Sequence, residues 1–190
     1  MAMERKSATY ADLEALPDNV VGELVNGELH ASPRLSFLHA AAASRLSGEL
    51  VSPFARGRDG PGGWIILNQP EVHLNNDVLV PDIAGWRQER MPQHPRTAAF
   101  TLAPDWACEV LSAPTKSMDR TVKLPVYARE GVQHVWLVDP KLRTLEVFRL
   151  DGLRYTQLVT HIGKAHVRAE PFEALELELA YLWGEKPPGH

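Results

Sequence analysis

Short apolar runs bounded by turn residues, interleaved with two longer stretches of helical period, are the feature that most restricts how this chain can fold. Val20–Val25 and Glu28–Ala31 flank Asn26-Gly27. Such a pair tolerates the positive φ values that a type I′ turn requires, so a hairpin is predicted. Thr9 ahead of Tyr10, with Asp12 three residues on, marks a helix start, and Pro17 ends that short helix. Ser36 opens a longer helix, in which Leu38, Ala42, Leu46, Leu50 and Phe54 recur at four-residue spacing and predict one apolar stripe. Arg56–Gly63, rich in glycine, is a loop.

Trp64–Leu67, Glu71–Leu74 and Leu79–Trp86 follow as strands, with a turn at Asn75-Asn76-Asp77. Gln88–Pro104, rich in proline and histidine, reads as an irregular surface excursion before the strand Trp106–Ser112. Asp119–Arg129 is helical and closed by Gly131. Val132–Val138, Thr144–Leu150 and Tyr155–Thr160 supply further strands, with turns at Asp139-Pro140 and Asp151-Gly152, and Leu175–Trp183 reads as a tail helix. Strands that enter and leave around helices predict a mixed sheet in an α/β or α+β domain.

At 190 residues, 44% of them hydrophobic and 23% charged, the chain is long enough to bury a core and is read as one globular domain, 1–190. No apolar stretch approaches the ~20 residues of a transmembrane helix. Polar residues follow Met1–Lys6 where a secretory leader needs an apolar stretch. Cys108 is the sole cysteine, which excludes an intramolecular disulfide and a cysteine-based metal cluster within one chain. A cytoplasmic protein with no membrane partner is the expectation. The net charge of −4 lacks the basic character common in nucleic-acid binders, although acids gathered around a metal produce such a total while a local groove stays positive. Walker, dinucleotide-binding, His-Glu-x-x-His and Gly-x-Ser-x-Gly signatures are all missing. Trp64, Trp86, Trp106, Trp136 and Trp183 are read as core and interface residues rather than base-stacking platforms.

Three elements carry candidate chemistry. In Val80-Pro81-Asp82-Ile83 a carboxylate stands in an apolar strand, where burial is costly unless it is paired or bound to metal; capping a strand-end turn is the other reading. In Asp105-Trp-Ala-Cys-Glu109-Val-Leu-Ser112, Glu109 shares a strand face with Ala107 and Leu111; exposure at a sheet edge is the alternative. Two carboxylates on apolar strands suit a hard cation such as Mg²⁺. Asp119, Lys123 and Tyr127, spaced four apart, form one row of a helix, either as a surface ion pair or reaching back toward the acids.

Taken together, Val80-Pro81-Asp82-Ile83, Glu109-Val-Leu-Ser-Ala-Pro-Thr115 and Asp119-xxx-Lys123-xxx-Tyr127-xxx-Gly131, followed by Val-Gln-His-Val-Trp-Leu-Val-Asp-Pro140, resemble the "putative restriction endonuclease" family of the PD-(D/E)XK nuclease superfamily. Gly22-Glu-Leu-Val-Asn-Gly-Glu28 and His39 match its N-terminal half, so the resemblance runs from roughly Tyr10 to Leu182. It implies a restriction-endonuclease-like mixed β-sheet core flanked by helices. It further implies Mg²⁺-dependent hydrolysis of nucleic-acid phosphodiester bonds, with Mn²⁺ able to substitute, DNA as the foremost partner and a homodimer as the working unit. On that resemblance Asp82 and Glu109 are the metal-binding acids, and Glu23 assists them, unless it is a solvent-facing hairpin residue. His39 ranks as peripheral, on the helix surface or core edge. Ser112 and Asp119 support the site from behind, and Lys116 and Arg120 are phosphate contacts unless simply solvated.

One departure stands out: the superfamily pattern wants lysine two residues after the acid, and that position is Leu111. The resemblance extends to members whose lysine has moved to the adjacent helix, where Lys123 matches. Three expectations follow. Asp82 and Glu109 approach closely enough to share one ion; two copies assemble; and Lys123→Ala, read as an exposed helical change, abolishes cleavage with little effect on folding or metal affinity. The rival readings are a catalytically silent nuclease-fold interaction module and a metal-dependent hydrolase of some non-nucleic phosphate ester.

Overall fold

The computed structural model describes residues 7–33, 36–93 and 95–185; the leader reading of Met1–Lys6 and the His94 position of the surface excursion lie outside them. The local signals at the N-terminal end hold. Helix α1 (Tyr10–Glu14) starts at Thr9, whose backbone N–H and hydroxyl both donate to the Asp12 carboxylate at 2.7 Å. Strands β1 (Val20–Val25) and β2 (Glu28–Pro33) pair through Val25 and Glu28 across Asn26 and Gly27, with φ of 52° and 78°. Those two positive values are what the type I′ turn demands.

Helix α2 (Phe37–Leu50) begins at Ser36, whose hydroxyl accepts the His39 N–H at 3.4 Å. Its stripe differs from the expected one. Ala42, Leu46, Leu50 and Phe54 are buried, but Leu38 is 55% exposed and His39 only 2%. The helix therefore turns the polar residue inward, because His39 has a partner there and Leu38 does not.

Nine further strands follow: β3 (Trp64–Asn68), β4 (Glu71–Leu74), β5 (Asp77–Leu79), β6 (Ile83–Arg87), β7 (Ala99–Phe100), β8 (Trp106–Val110), β9 (His134–Asp139), β10 (Thr144–Asp151) and β11 (Arg154–Ile162). Among the described residues they form, with the hairpin, a sheet of order β11-β10-β9-β8-β6-β3 and a second of order β2-β1-β5-β4-β7. The β8–β9 and β4–β7 pairs are parallel and the others antiparallel, so both sheets are mixed. A small pair, β12 (His166–Val167) with β13 (Leu177–Glu178), completes the set.

Two boundaries differ from the sequence reading. The run Leu79–Trp86 is not one strand: β5 belongs to one sheet and β6 to the other, and Val80-Pro81-Asp82 is the crossing. Pro81 has no N–H to give a ladder, so pairing stops there and the chain changes sheet. The tail is helical only over α5 (Leu179–Leu182), because Leu177–Glu178 is drawn into a strand. The excursion Gln88–Pro104 is pinned at its end by the Trp86 indole N–H, which donates to the Leu102 carbonyl at 2.8 Å.

The second helical run joins α3 (Lys116–Met118), a π-helical turn over Asp119–Lys123 and α4 (Leu124–Arg129). Pro125 explains the turn. In a regular α-helix its ring would press on the Thr121 carbonyl, and it has no N–H to offer. Widening lets Leu124 N–H reach the Asp119 carbonyl instead. Gly131, at φ 77°, closes the run as expected.

Apolar packing covers both faces of the larger sheet. Trp64, Trp106 and Trp136 surround Phe172 at ring distances of 4.8–5.6 Å, against Leu46 and Leu50 of α2. On the other face Ala84, Trp86, Ala107, Leu111 and Leu137 meet Val126 and Tyr127 of α4. Four of the five tryptophans are buried and Trp183 is half-buried, which places them in the core. No described helix is long and apolar enough to cross a membrane.

Candidate functional site

Strand alternation directs Glu109 to the face of Ala107 and Leu111, beneath the helical run. Its carboxylate, 3% exposed, meets two groups from that run: Lys123 Nζ lies 2.7 Å from Glu109 Oε1, and the Tyr127 hydroxyl donates to the same oxygen. Lys123 Nζ is also 2.8 Å from Glu23 Oε1 and 3.9 Å from Asp119 Oδ1. The ammonium is thus caged by three carboxylates from three elements, β1, β8 and the π turn.

Glu23 and Asp82 are placed by the crossing between the sheets. Val80 N–H, left without a ladder there, donates to Glu23 Oε1 at 2.8 Å. Asp82 uses both oxygens: Oδ1 is 2.8 Å from His39 Nε2 and Oδ2 accepts the Val110 N–H at 2.8 Å. His39 Nδ1 has no hydrogen-bond partner among the described residues. Asp82, Glu109, Glu23, Asp119, His39 and Lys123 all line one narrow cleft of about 30 Å³, room for one water-sized occupant. A larger cleft of about 460 Å³ opens beside it at Asp82, and another of about 390 Å³ at His39.

The electrostatics are those of a crowded acidic centre. Burial pushes Glu109 well above the usual carboxylate range; Lys123 opposes this, and Asp119, Asp82 and Glu23 add to it. Burial likewise brings Asp119 up to about 6. Burial alone would loosen the proton of Lys123, yet Glu109, Glu23 and Asp119 outweigh it and hold its pKa above the ordinary value. The Tyr127 hydroxyl is pushed up by burial and then by Glu109, so it stays a donor. Four carboxylates and one ammonium line the cleft, three of the carboxylates against the ammonium, and such hard oxygen donors suit a divalent cation. No three of the described His, Cys, Asp and Glu side chains already stand in a metal-holding arrangement.

Several sequence readings need correcting. For Glu23 only the alternative of a solvent-facing hairpin residue falls, because it reaches inward to Val80 and Lys123. His39 is not peripheral: it holds Asp82. Lys123 is not an exposed helical lysine but 2% exposed, since the π turn rotates it beneath the run. Asp82 is neither mid-strand nor a turn cap, for it bridges β8 and α2. Outside the cleft, Lys116 pairs with Asp139 at 3.0 Å, Arg120 pairs with Glu146, and the Ser112 hydroxyl bonds that of Thr115 at 2.9 Å. Tyr127 joins Lys123 at the same acid, and its spacing four residues beyond the lysine is the signal for it in the sequence.

The comparisons with known proteins agree with this architecture. Residues 8–180 match the model of a family described as "Uma2: Putative restriction endonuclease". A crystal structure described as a "putative nuclease belonging to DUF820", from Anabaena variabilis, matches with a TM-score of 0.72 at 22% identity, over 93% of this chain and 98% of that one. That likeness is one of fold. No curated protein matches the chain.

Proposed function

Because the chain belongs to the Uma2 family, described as "Putative restriction endonuclease", we propose that it is a Mg²⁺-dependent endonuclease that hydrolyses phosphodiester bonds of nucleic acid, DNA foremost. The observation that carries this reading is the approach of Lys123 to Glu109. Leu111 occupies the strand position of the superfamily lysine and packs in the core, while the Lys123 ammonium arrives from the helix within 2.7 Å of the acid.

Asp82 and Glu109, with Glu23, would hold the ion, which when bound supplies Lewis-acid neutralisation of the scissile phosphate and an activated water. The chain's own groups do the rest. His39 Nε2 and the Val110 amide fix Asp82, and the Tyr127 hydroxyl fixes Glu109. Lys123 donates to the phosphoryl oxygen on which charge develops, and Asp119 steadies its ammonium from one turn away. Lys116 and Arg120, themselves part-exposed, can turn from their carboxylates toward substrate phosphates. Two copies cutting opposite strands would suit a duplex, and light scattering that reports a monomer at high concentration would remove that part.

One observation favours a silent module instead: Lys123 already satisfies Glu109 and Glu23, so the fold stands without a metal. Calorimetric titration with Mg²⁺ or Mn²⁺, alongside plasmid nicking, separates the two. The nuclease reading expects ion binding, nicking that chelator abolishes, and loss of both in Asp82→Asn. A parent that binds an ion and cuts no nucleic acid is the module; one that binds no ion ends the reading.

A further inference from the structure

The larger cleft beside Asp82 has a chemistry of its own. One wall is the face of α2 that carries Ala40, Ala43 and Ser44, small residues three and four apart that leave a groove. The opposite wall is Val21 and the corner Asn68-Gln69 at the end of β3. At about 460 Å³ the space lies within the ordinary range of small-molecule sites.

Gln69 is built against its own preference. Its φ is +47°, left-handed backbone that glycine and asparagine adopt readily and glutamine does not. The corner is held there by the site itself: Gln69 N–H donates to the Asp82 carbonyl at 3.0 Å, and Asn68 pairs with Ile83, the residue after Asp82. Both residues are exposed, and neither carboxamide has a hydrogen-bond partner among the described residues. A turn with no other duty would be better served by glycine.

Among the described residues the lining has no cation, and the one charged residue is Asp82, so it favours a neutral group over a phosphate. Two free carboxamides offer paired donors and acceptors, the pattern that reads the edge of a base, between apolar walls that accept its faces. We propose that the cleft between α2 and the Asn68-Gln69 corner is a nucleobase subsite, taking the base next to the phosphate bound at the Asp82–Glu109 centre. The proposal rests on the nuclease reading for the identity of that phosphate, but its test does not require cleavage.

The probes are the four common nucleoside 5′-monophosphates and ribose 5-phosphate, titrated by NMR into the parent and into Gln69→Gly, Gln69→Asn and Asn68→Ala. At least one nucleotide is expected to bind the parent about tenfold more tightly than ribose 5-phosphate, with shifts at Ala40, Ala43 and Ser44. Gln69→Gly and Gln69→Asn should erase that ratio while raising the melting temperature, because both residues accept left-handed backbone; Asn68→Ala should weaken it. A purely structural Gln69 would show the rise in stability and an unchanged ratio. That result, or ribose 5-phosphate binding as tightly as every nucleotide, overturns the subsite. Failure of the parent to nick plasmid bears on the nuclease reading and leaves these ratios as they are measured.

Discussion

On one side of β8, Trp106, Cys108 and Val110 meet Trp136, Phe172 and Leu46; on the other, Glu109 lies between Ala107 and Leu111 and faces Lys123, Tyr127 and Glu23. Both faces are buried, but different forces hold them. The tryptophan face is apolar area removed from solvent, which is insensitive to pH. The glutamate face holds four carboxylates and one ammonium, and groups desolvated in this way are retained at a stability penalty that catalytic sites characteristically bear. The contrast teaches where to look for function: the same strand builds the apolar core with its even-numbered residues and places a charge in the cleft with an odd-numbered one.

The largest effect should come from the apolar face. Trp106→Ala is expected to lower stability by about 4 kcal/mol, equally at pH 6 and pH 8, because it leaves a cavity and its indole N–H has no partner to orphan among the described residues. Urea unfolding at the two pH values checks this; a pH-dependent loss would blur the contrast between the faces.

Lys123→Ala comes next, at about 3 kcal/mol near pH 8, since Glu109 and Glu23 are left buried without their cation. This replaces the expectation of a nearly neutral surface change. The sign in pH follows from Glu109. Its folded pKa already lies above the unfolded value and rises further without Lys123, so stability is present at low pH and is lost as pH rises through the folded value. The deficit should therefore shrink toward pH 5, and an equal deficit at both ends would contradict an electrostatic face.

A smaller change is expected at Asp119. Its folded value of about 6 against 3.8 means that the metal-free parent loses stability as pH rises between those values. Asp119→Asn should flatten that decline and, in chelator at pH 8, gain about 1 kcal/mol, part of the full shift, in which the attraction to Lys123 is already counted. Parallel pH–stability curves for parent and variant would refute it. The smallest effect belongs to Leu38→Ser, within about 0.5 kcal/mol by thermal melting, because Leu38 stands in solvent while His39 takes the inward position.

What the sequence disclosed depended on how local the cause was. Asn26-Gly27 announces its turn because φ is decided within two residues. Asp82, Glu109 and Lys123 could be paired in advance because the family motif joins them; their residue types alone left a surface reading open for each. The split of Leu79–Trp86 was hidden, since an apolar run has the same period whichever sheet it joins, although Pro81 marked the place. The inward turn of His39 is not legible locally, because a count of apolar residues prefers Leu38, and only Asp82, 43 residues away, supplies the reason to turn the helix the other way. The burial of Lys123 depends on a π turn that Pro125 requires, and a four-residue spacing does not reveal it.

The central claim is that the charged face of β8 is a metal-dependent nuclease centre, and Glu109→Gln tests it most directly. The substitution keeps shape and packing and removes one charge from a group that burial already disfavours as an anion, so folding should survive, as circular dichroism would verify. The decisive measurement is the rate of supercoiled-plasmid nicking at saturating Mg²⁺ by parent and variant. The account predicts a fall of roughly 10²-fold or more; nicking by Glu109→Gln at the parent's rate would contradict it.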